Sequence, residues 1–322
     1  MTTTSEAVAV EQEIRQPADK SMSLEKQRQI WGWIFLSPWI IGFFLFTALP
    51  MVASLAFSFT DFDLNAVDEI SYVGLRNYER LFTDPNVDNA LWATAKFATI
   101  ALPLAIGLPV LLASLLNSRY LIGKSLFRTL FYMPYMVPLV SATYIWGGVL
   151  NTETGWINRF LEEIIGIPNG PNWVYSRLWI YPALNIIGLW GIGNAMLFTL
   201  AALQGVPTEL YEAARVDGAG PLRQFRHITL PMISPIIFYN LILSVIGLFR
   251  YFEIPFILKE GSGDPGGATM FFNIHLYKTA FTFKEMGYGA TLAWMLFVMA
   301  MGATVLIFAT ARYWVYYAAA ED

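Results

Sequence analysis

Apolar runs of about 20 residues or more recur along this chain, and they constrain its fold more than any other feature. Such a run crosses a hydrocarbon core of roughly 30 Å as a single helix. A barrel would need short alternating strands instead. The runs fall near 30–58, 90–116, 129–150, 178–203, 232–258 and 287–311. Composition agrees: 14% of residues are charged, against about 25% in a soluble domain. The expectation is an all-α polytopic membrane protein with six transmembrane helices. Residues 1–29 read as a polar cytoplasmic tail, disordered at first, with Leu24 to Gln29 as a helical lead-in. They lack the basic patch and short apolar core of a cleavable signal peptide. The membrane domain is then 30–317, and 318–322 is a second cytoplasmic tail. Pro103 and Pro109 are expected to kink the second span. Trp156 to Ile165 reads as an amphipathic segment inside the loop 151–177. Tyr313, Trp314, Tyr316 and Tyr317 form an interfacial aromatic belt.

Loop charges set the orientation. The connection 117–128 carries Arg119, Lys124 and Arg128 and no acid, whereas 59–89 holds seven acidic and two basic residues. The positive-inside rule places the first loop and both termini in the cytoplasm.

Several chemistries are excluded. There is no cysteine, so no disulfide, thiolate metal site or thiol nucleophile. His227 and His275 fall on opposite sides of the membrane in this topology and make no metal site together. A net charge of −4 gives no case for nucleic acid. No Walker A sequence is present, so the chain itself binds no ATP.

The polar stretch 209–231, ELYEAARVDGAGPLRQFRHITLP, is the longest strongly polar run between two apolar spans in the second half of the chain. Glu209, Glu212, Arg215 and Asp217 alternate with small or apolar residues in a short helix. Gly218 and Gly220 break it, and Pro221 suits the first turn of the next. Leu222, Phe225 and Ile228 recur at helical spacing and predict an apolar side to that second helix. Ala213 and Ala214 would let a partner's backbone approach closely. A bare Glu-Ala-Ala triplet is an ordinary loop. Here Glu212-Ala213-Ala214 is followed by three residues, Gly218, nine residues, Ile228, one residue and Leu230-Pro231.

That arrangement resembles the EAA loop of permease subunits of binding-protein-dependent ABC importers. The likeness runs from about 30 to 315. Gly74, Leu75, Asn77 and Tyr78, and further on Pro134, Pro138, Trp146, Gly155, Asn158 and Leu161, are similar to the carbohydrate-uptake, maltose-type class. The segment 249–269 departs from that class's wording, with Leu258-Lys259-Glu260 and a spread Gly/Pro loop. The resemblance implies a type I importer permease fold in a bacterial or archaeal plasma membrane. It makes Glu212, Ala213, Ala214, Asp217 and Gly218 a cytoplasmic coupling helix seated on an ATPase subunit. It implies a second homologous permease, two copies of the ATPase, which bind ATP and Mg, and an extracytoplasmic solute-binding protein that delivers a sugar or oligosaccharide. This chain would catalyse no covalent chemistry and hold no cofactor or metal.

Polar residues inside the membrane are costly, so a substrate path shows there. Asn185 and Asn240 are better explained by helix–helix hydrogen bonds than by a substrate path. In the maltose-type class the helices flanking the EAA loop line the sugar pocket, which maps to Gly191, Asn194, Leu248 and Tyr251. Tyr251 and Asn194 supply the polar chemistry. Arg250 and Glu253 share an adjacent stripe at i,i+3 and would brace the pocket as an ion pair. An ion-gradient-driven secondary transporter is the alternative. It would show internal repeats and buried ionisable relays, and neither is evident.

Overall fold

The computed structural model describes residues 23–316. Most of the tail 1–29, Tyr317 of the aromatic belt and the tail 318–322 lie outside the described residues. Apart from one isolated antiparallel bridge between Thr60 and Tyr72, the regular structure among the described residues is helical. The chain divides between Ser54 and Leu55 into two units.

The described part of the first unit is helix α1 (Leu24–Phe57) as far as Ser54. Ser23 caps it by accepting from the Lys26 amide, and Glu25 sits in its positive first turn. Pro38 deprives the Ile34 carbonyl of its helical donor, and the Ser37 hydroxyl donates to that oxygen at 2.8 Å. Its apolar residues point in all directions, as befits a helix whose solvent is lipid.

The second unit begins with the end of α1 and a short helix α2 (Arg76–Leu81). The long helix α3 (Pro85–Asn117) follows. Asp84 caps α3 by accepting from the Asn86 amide at 2.9 Å, and Pro85 occupies the position where a missing N–H is harmless. Pro103 and Pro109 lie inside α3 without dividing it.

The third apolar run is not one helix over 129–150. It splits into α4 (Lys124–Tyr132), a tight turn at Met133–Met136, and α5 (Leu139–Val149). Pro134 and Pro138 are the cause. Proline lacks the helical donor and forces its predecessor into extended backbone, and Val137 has ψ 129°. The amphipathic segment forms α6 (Trp156–Glu163). Its buried Asn158 donates to the carbonyls of Thr152 and Pro171 and accepts from the Trp173 indole, which pins the loop 151–177.

The fourth run is also broken, into α7 (Ile180–Leu189) and α8 (Gly193–Gln204), bent by 59°. Gly193 permits the close approach at this break, because a Cβ there would collide with the Phe131 backbone. Then come α9 (Thr208–Val216), α10 (Pro221–Gln224), α11 (Ser234–Phe249), α12 (Glu253–Lys259), α13 (Phe272–Tyr277) and α14 (Met286–Ala311). By length and composition, Leu24–Phe57, Pro85–Asn117, Ser234–Lys259 and Met286–Ala311 could each cross a membrane, and the bent α7–α8 pair could make a fifth crossing. α5 alone has 11 residues, too few to cross.

α3 is the mast of this unit and runs through three apolar clusters. Near its start Val87 and Ala90 pack with Leu81, Phe272, Tyr288 and Leu292. Ala93 and Phe97 then join Ile180, Leu184, Phe271 and Ile274. Val110, Ala113 and Leu116 meet Met196, Leu200, Leu203 and Ile233 at the far end. Both halves of the broken span and α11 therefore lean on one helix.

Candidate functional site

The stretch 209–231 folds into the expected helix–turn–helix knob. Glu209 lies in the first turn of α9 and Arg215 in the last, each matched to the helix dipole. The turn after α9 has a specific geometry. Gly218 has φ +75°. Its amide donates to the Arg215 carbonyl, and the Ala219 amide donates back to Ala214 at 2.8 Å. That pair of bonds is a Schellman stop, with Gly218 at its left-handed position. The Gln224 side chain then caps the Ala219 carbonyl at 2.7 Å.

One side of the knob is anchored. Tyr211 and Thr229 share a hydroxyl–hydroxyl bond of 2.9 Å that ties α9 to the segment leading into α11. Tyr211, Phe225, Ile228 and Leu230 pack on the cluster of Val110, Leu116, Met196 and Leu200. On the other side, among the described residues, Glu212, Ala213, Asp217 and Gly218 are exposed and Ala214 is half-buried. Val216 and Leu222 are 89% and 81% exposed, so two large apolar side chains stand out from a polar knob. Leu222 therefore does not share the buried face of Phe225 and Ile228. The second helix stops at Gln224, and a wide turn over Phe225–Thr229 changes the register between them. A cavity of about 840 Å³ opens beside the knob, lined by Asn117, Arg119, Tyr211, Glu212, Arg215 and Gln224 among others.

The candidate substrate residues are only partly brought together. Leu248 and Tyr251 line one cavity of about 290 Å³ with Phe97, Leu184, Asn185 and Gly188. Gly191 and Asn194 are not in its lining. Tyr251 stacks on Phe97 with ring centres 4.6 Å apart and meets Phe271 edge-on. Its hydroxyl is buried without a hydrogen-bond partner among the described residues. Asn185 donates to the Tyr181 carbonyl of its own helix, while Asn240 makes the interhelical bond, reaching Thr199 at 3.3 Å.

Arg250 and Glu253 form no ion pair among the described residues. The reason is a break. α11 ends at Phe249, Arg250 has φ −90° and ψ 3°, and α12 starts at Glu253, so no continuous helical stripe joins the two. Arg250 lines a different cavity, against Leu296, Phe297 and Ala300 of α14. One residue of the groove, Phe97, carries no signal in the sequence, since an aromatic in an apolar run reads as lipid-facing or core.

A third cluster lies at the start of α3. Asp84 accepts from the Tyr288 hydroxyl at 3.0 Å, and His275 Nε2 lies 3.9 Å from its carboxylate. Arg80 stacks on the Tyr288 ring and pairs with Glu285. Burial pushes the His275 imidazole below its usual value, against the opposing pull of Asp84. Burial acts to raise the Asp84 carboxyl, but the Asn86 amide, the Tyr288 hydroxyl and His275 outweigh it and hold it low.

An all-helical, multi-pass chain with an exposed helix–glycine–helix knob is built as a membrane transport subunit. Residues 97–319 match the family described as binding-protein-dependent transport system inner membrane component, and the chain belongs to that family. It is similar to the probable ABC transporter permease protein YesP of Bacillus subtilis (strain 168), 35% identical over 308 residues, covering 94% of this chain and 97% of that one. The arabinooligosaccharides transport system permease protein AraP of the same organism is 31% identical over 276 residues, covering 85% and 86%. In fold it resembles a chain of a bacterial ABC transporter involved in the import of the acidic polysaccharide alginate, with a TM-score of 0.77, 22% identity and coverage of 89% and 97%. The chain is thus a permease component of an ABC importer in the inner membrane, a transport subunit and not an enzyme. Family membership gives the gradient-driven alternative no support.

Proposed function

We propose that this permease takes up a sugar or oligosaccharide delivered by a solute-binding protein, and that the knob at 209–231 couples it to ATP hydrolysis. The observation that carries the coupling is the knob itself: anchored on one side, and on the other presenting Ala213, Val216 and Leu222 outside this chain's own core. An isolated apolar pair on a polar, rigid turn fits the cleft of a partner protein. The partners are two copies of an ATPase, which bind ATP and Mg, and a second related permease. Six crossings with both termini in the cytoplasm put the knob where the ATPase is. α4, the proline turn and α5 then make the third crossing together.

The sugar is supported by the names of relatives such as AraP and by the chemistry of the groove. Its lining sets the stacked Phe97–Tyr251 pair beside Asn185 and the unpartnered Tyr251 hydroxyl, the aromatic and hydrogen-bonding groups that a sugar uses. Of the positions carried over from the maltose-type class, Leu248 and Tyr251 line this groove and would meet the sugar there, with Asn185 in the part that the resemblance gives to Asn194. The test is uptake of labelled arabinooligosaccharides and maltooligosaccharides into vesicles holding the assembled importer. Uptake should require the binding protein and ATP and should survive an ionophore. Uptake abolished by the ionophore at constant ATP would refute the proposal.

A further inference from the structure

Another cavity, of about 380 Å³, is lined by the part of α3 that precedes the groove residues, toward the start of that helix. Asn86, Asn89 and Lys96 of α3 line it on one helical face, together with Trp92 of α3, and Arg177 and Tyr181 close the opposite wall. The next turn of α3 carries Phe97 and Ala101, which line the deeper groove, so the two cavities follow each other along one helix. The rim is chemically one-sided. It holds two basic side chains and no acidic one, and neither Lys96 nor Arg177 is in an ion pair among the described residues. Arg177 lies beside the loop at Gly266, where φ is +56° and a Cβ would come to 3.9 Å from the guanidinium. Trp92 is 59% exposed, and Lys96 stands 6.0 Å over its ring.

We infer that this cavity receives a saccharide bearing a carboxylate, of the uronate kind, on its way into the groove. The inference rests on the sugar-permease reading and on the orientation proposed with it. Two cations that share a lining with no acidic side chain select an anion. Two aromatic faces and two amides add what a sugar ring and its hydroxyls need. A volume in the range of small-molecule sites, roughly 300–1,000 Å³, would be left mostly empty by one acidic side chain of a docking protein.

The test uses the assembled importer in nanodiscs, with trigalacturonate and neutral galactotriose as probes in a calorimetric titration. Trigalacturonate should bind, more tightly than galactotriose, and its affinity should fall as salt rises. Lys96→Gln combined with Arg177→Gln should weaken it by about ten- to a hundredfold, as the loss of hydrogen bonds between charged groups does, and leave galactotriose unchanged. Both side chains are exposed, so the fold should persist, and the salt titration of the unaltered protein reads the same point without any variant. Equal affinity for the two trisaccharides, no binding of either, or an unaltered affinity in the double variant overturns the inference. So does an effect confined to docking of the unloaded binding protein, which would make the cations a protein contact. ATP-driven uptake of neutral oligosaccharides in companion vesicles separates the two levels. If it persists while the acidic probe fails, only this inference falls; if neither charge class is taken up, the sugar-permease reading falls as well.

Discussion

Gly218 gives the sharpest perturbation of the coupling knob. Its φ of +75° lies in the left-handed region, and a Cβ there would meet nothing within 4 Å. Gly218→Ala is therefore a purely conformational change, without a clash. Left-handed backbone costs an alanine roughly 1–2 kcal/mol, which is about a 5- to 30-fold shift in a local equilibrium. The bonds at risk are those that stop α9, from Gly218 to Arg215 and from Ala219 to Ala214. Asparagine tolerates this backbone region far better, so Gly218→Asn should restore most of what alanine loses although it is the larger residue. Hydrogen exchange at the Ala219 amide should speed up in Gly218→Ala and return toward normal in Gly218→Asn. ATPase stimulation by the loaded binding protein should follow the same order, with membrane insertion unchanged. Equal loss in both variants would mean that side-chain size and not backbone geometry matters, and the reasoning would be wrong. Full coupling in Gly218→Ala would be equally damaging.

Tyr251→Phe keeps the stacking on Phe97 and removes a buried hydroxyl without a partner; stability should hold or rise, by about 1–3 kcal/mol at most, while uptake falls, and a lower melting temperature with normal uptake would contradict the role given to that hydroxyl. Gly193→Ala should impair folding, since its Cβ meets the Phe131 backbone, whereas Gly107→Ala inside α3 meets nothing and should be neutral or mildly stabilising; size-exclusion profiles of the two variants check this. His275 is buried with a lowered pKa, so the unfolded chain takes up a proton below its value of 6.5 before the folded chain does. Stability should therefore be complete above that value and decline as pH falls from it. His275→Gln should flatten the melting temperature over that window, while the loss below 3.8 that belongs to the low Asp84 carboxyl remains.

The spans were legible where apolar length alone decides the structure, as in Pro85–Asn117 and Met286–Ala311. They are interrupted where prolines and glycines act together. The sequence shows Pro134, Pro138, Gly188, Gly191 and Gly193, but hydropathy does not register that extended backbone at Val137 splits one run or that the Gly193 contact accompanies a 59° bend in another. The first helix and the glycine turn of the knob are legible, because glycine, proline and capping chemistry are local, but the register change over Phe225–Thr229 that exposes Leu222 is not. Nor is the groove. It is assembled from α3, α7 and α11, and a helical count from the knob outward cannot find Phe97 or choose Asn185 over Asn194. The expected Arg250–Glu253 pair failed for the same reason: spacing predicts a stripe only while the helix continues, and it ends at Phe249.

The central claim is that the knob of this permease transmits the ATPase cycle. The chain has no cysteine, so Val216→Cys provides a single thiol, on a side chain 89% exposed at the tip of α9. A maleimide–benzophenone reagent attached to this thiol from the cytoplasmic side should, on illumination, insert into a C–H bond of the ATPase subunit and join the two, and the joined complex should lose binding-protein-stimulated hydrolysis. A thiol at Val216 that reacts with an impermeant reagent from outside, or that joins no ATPase while the complex transports normally, would contradict the account.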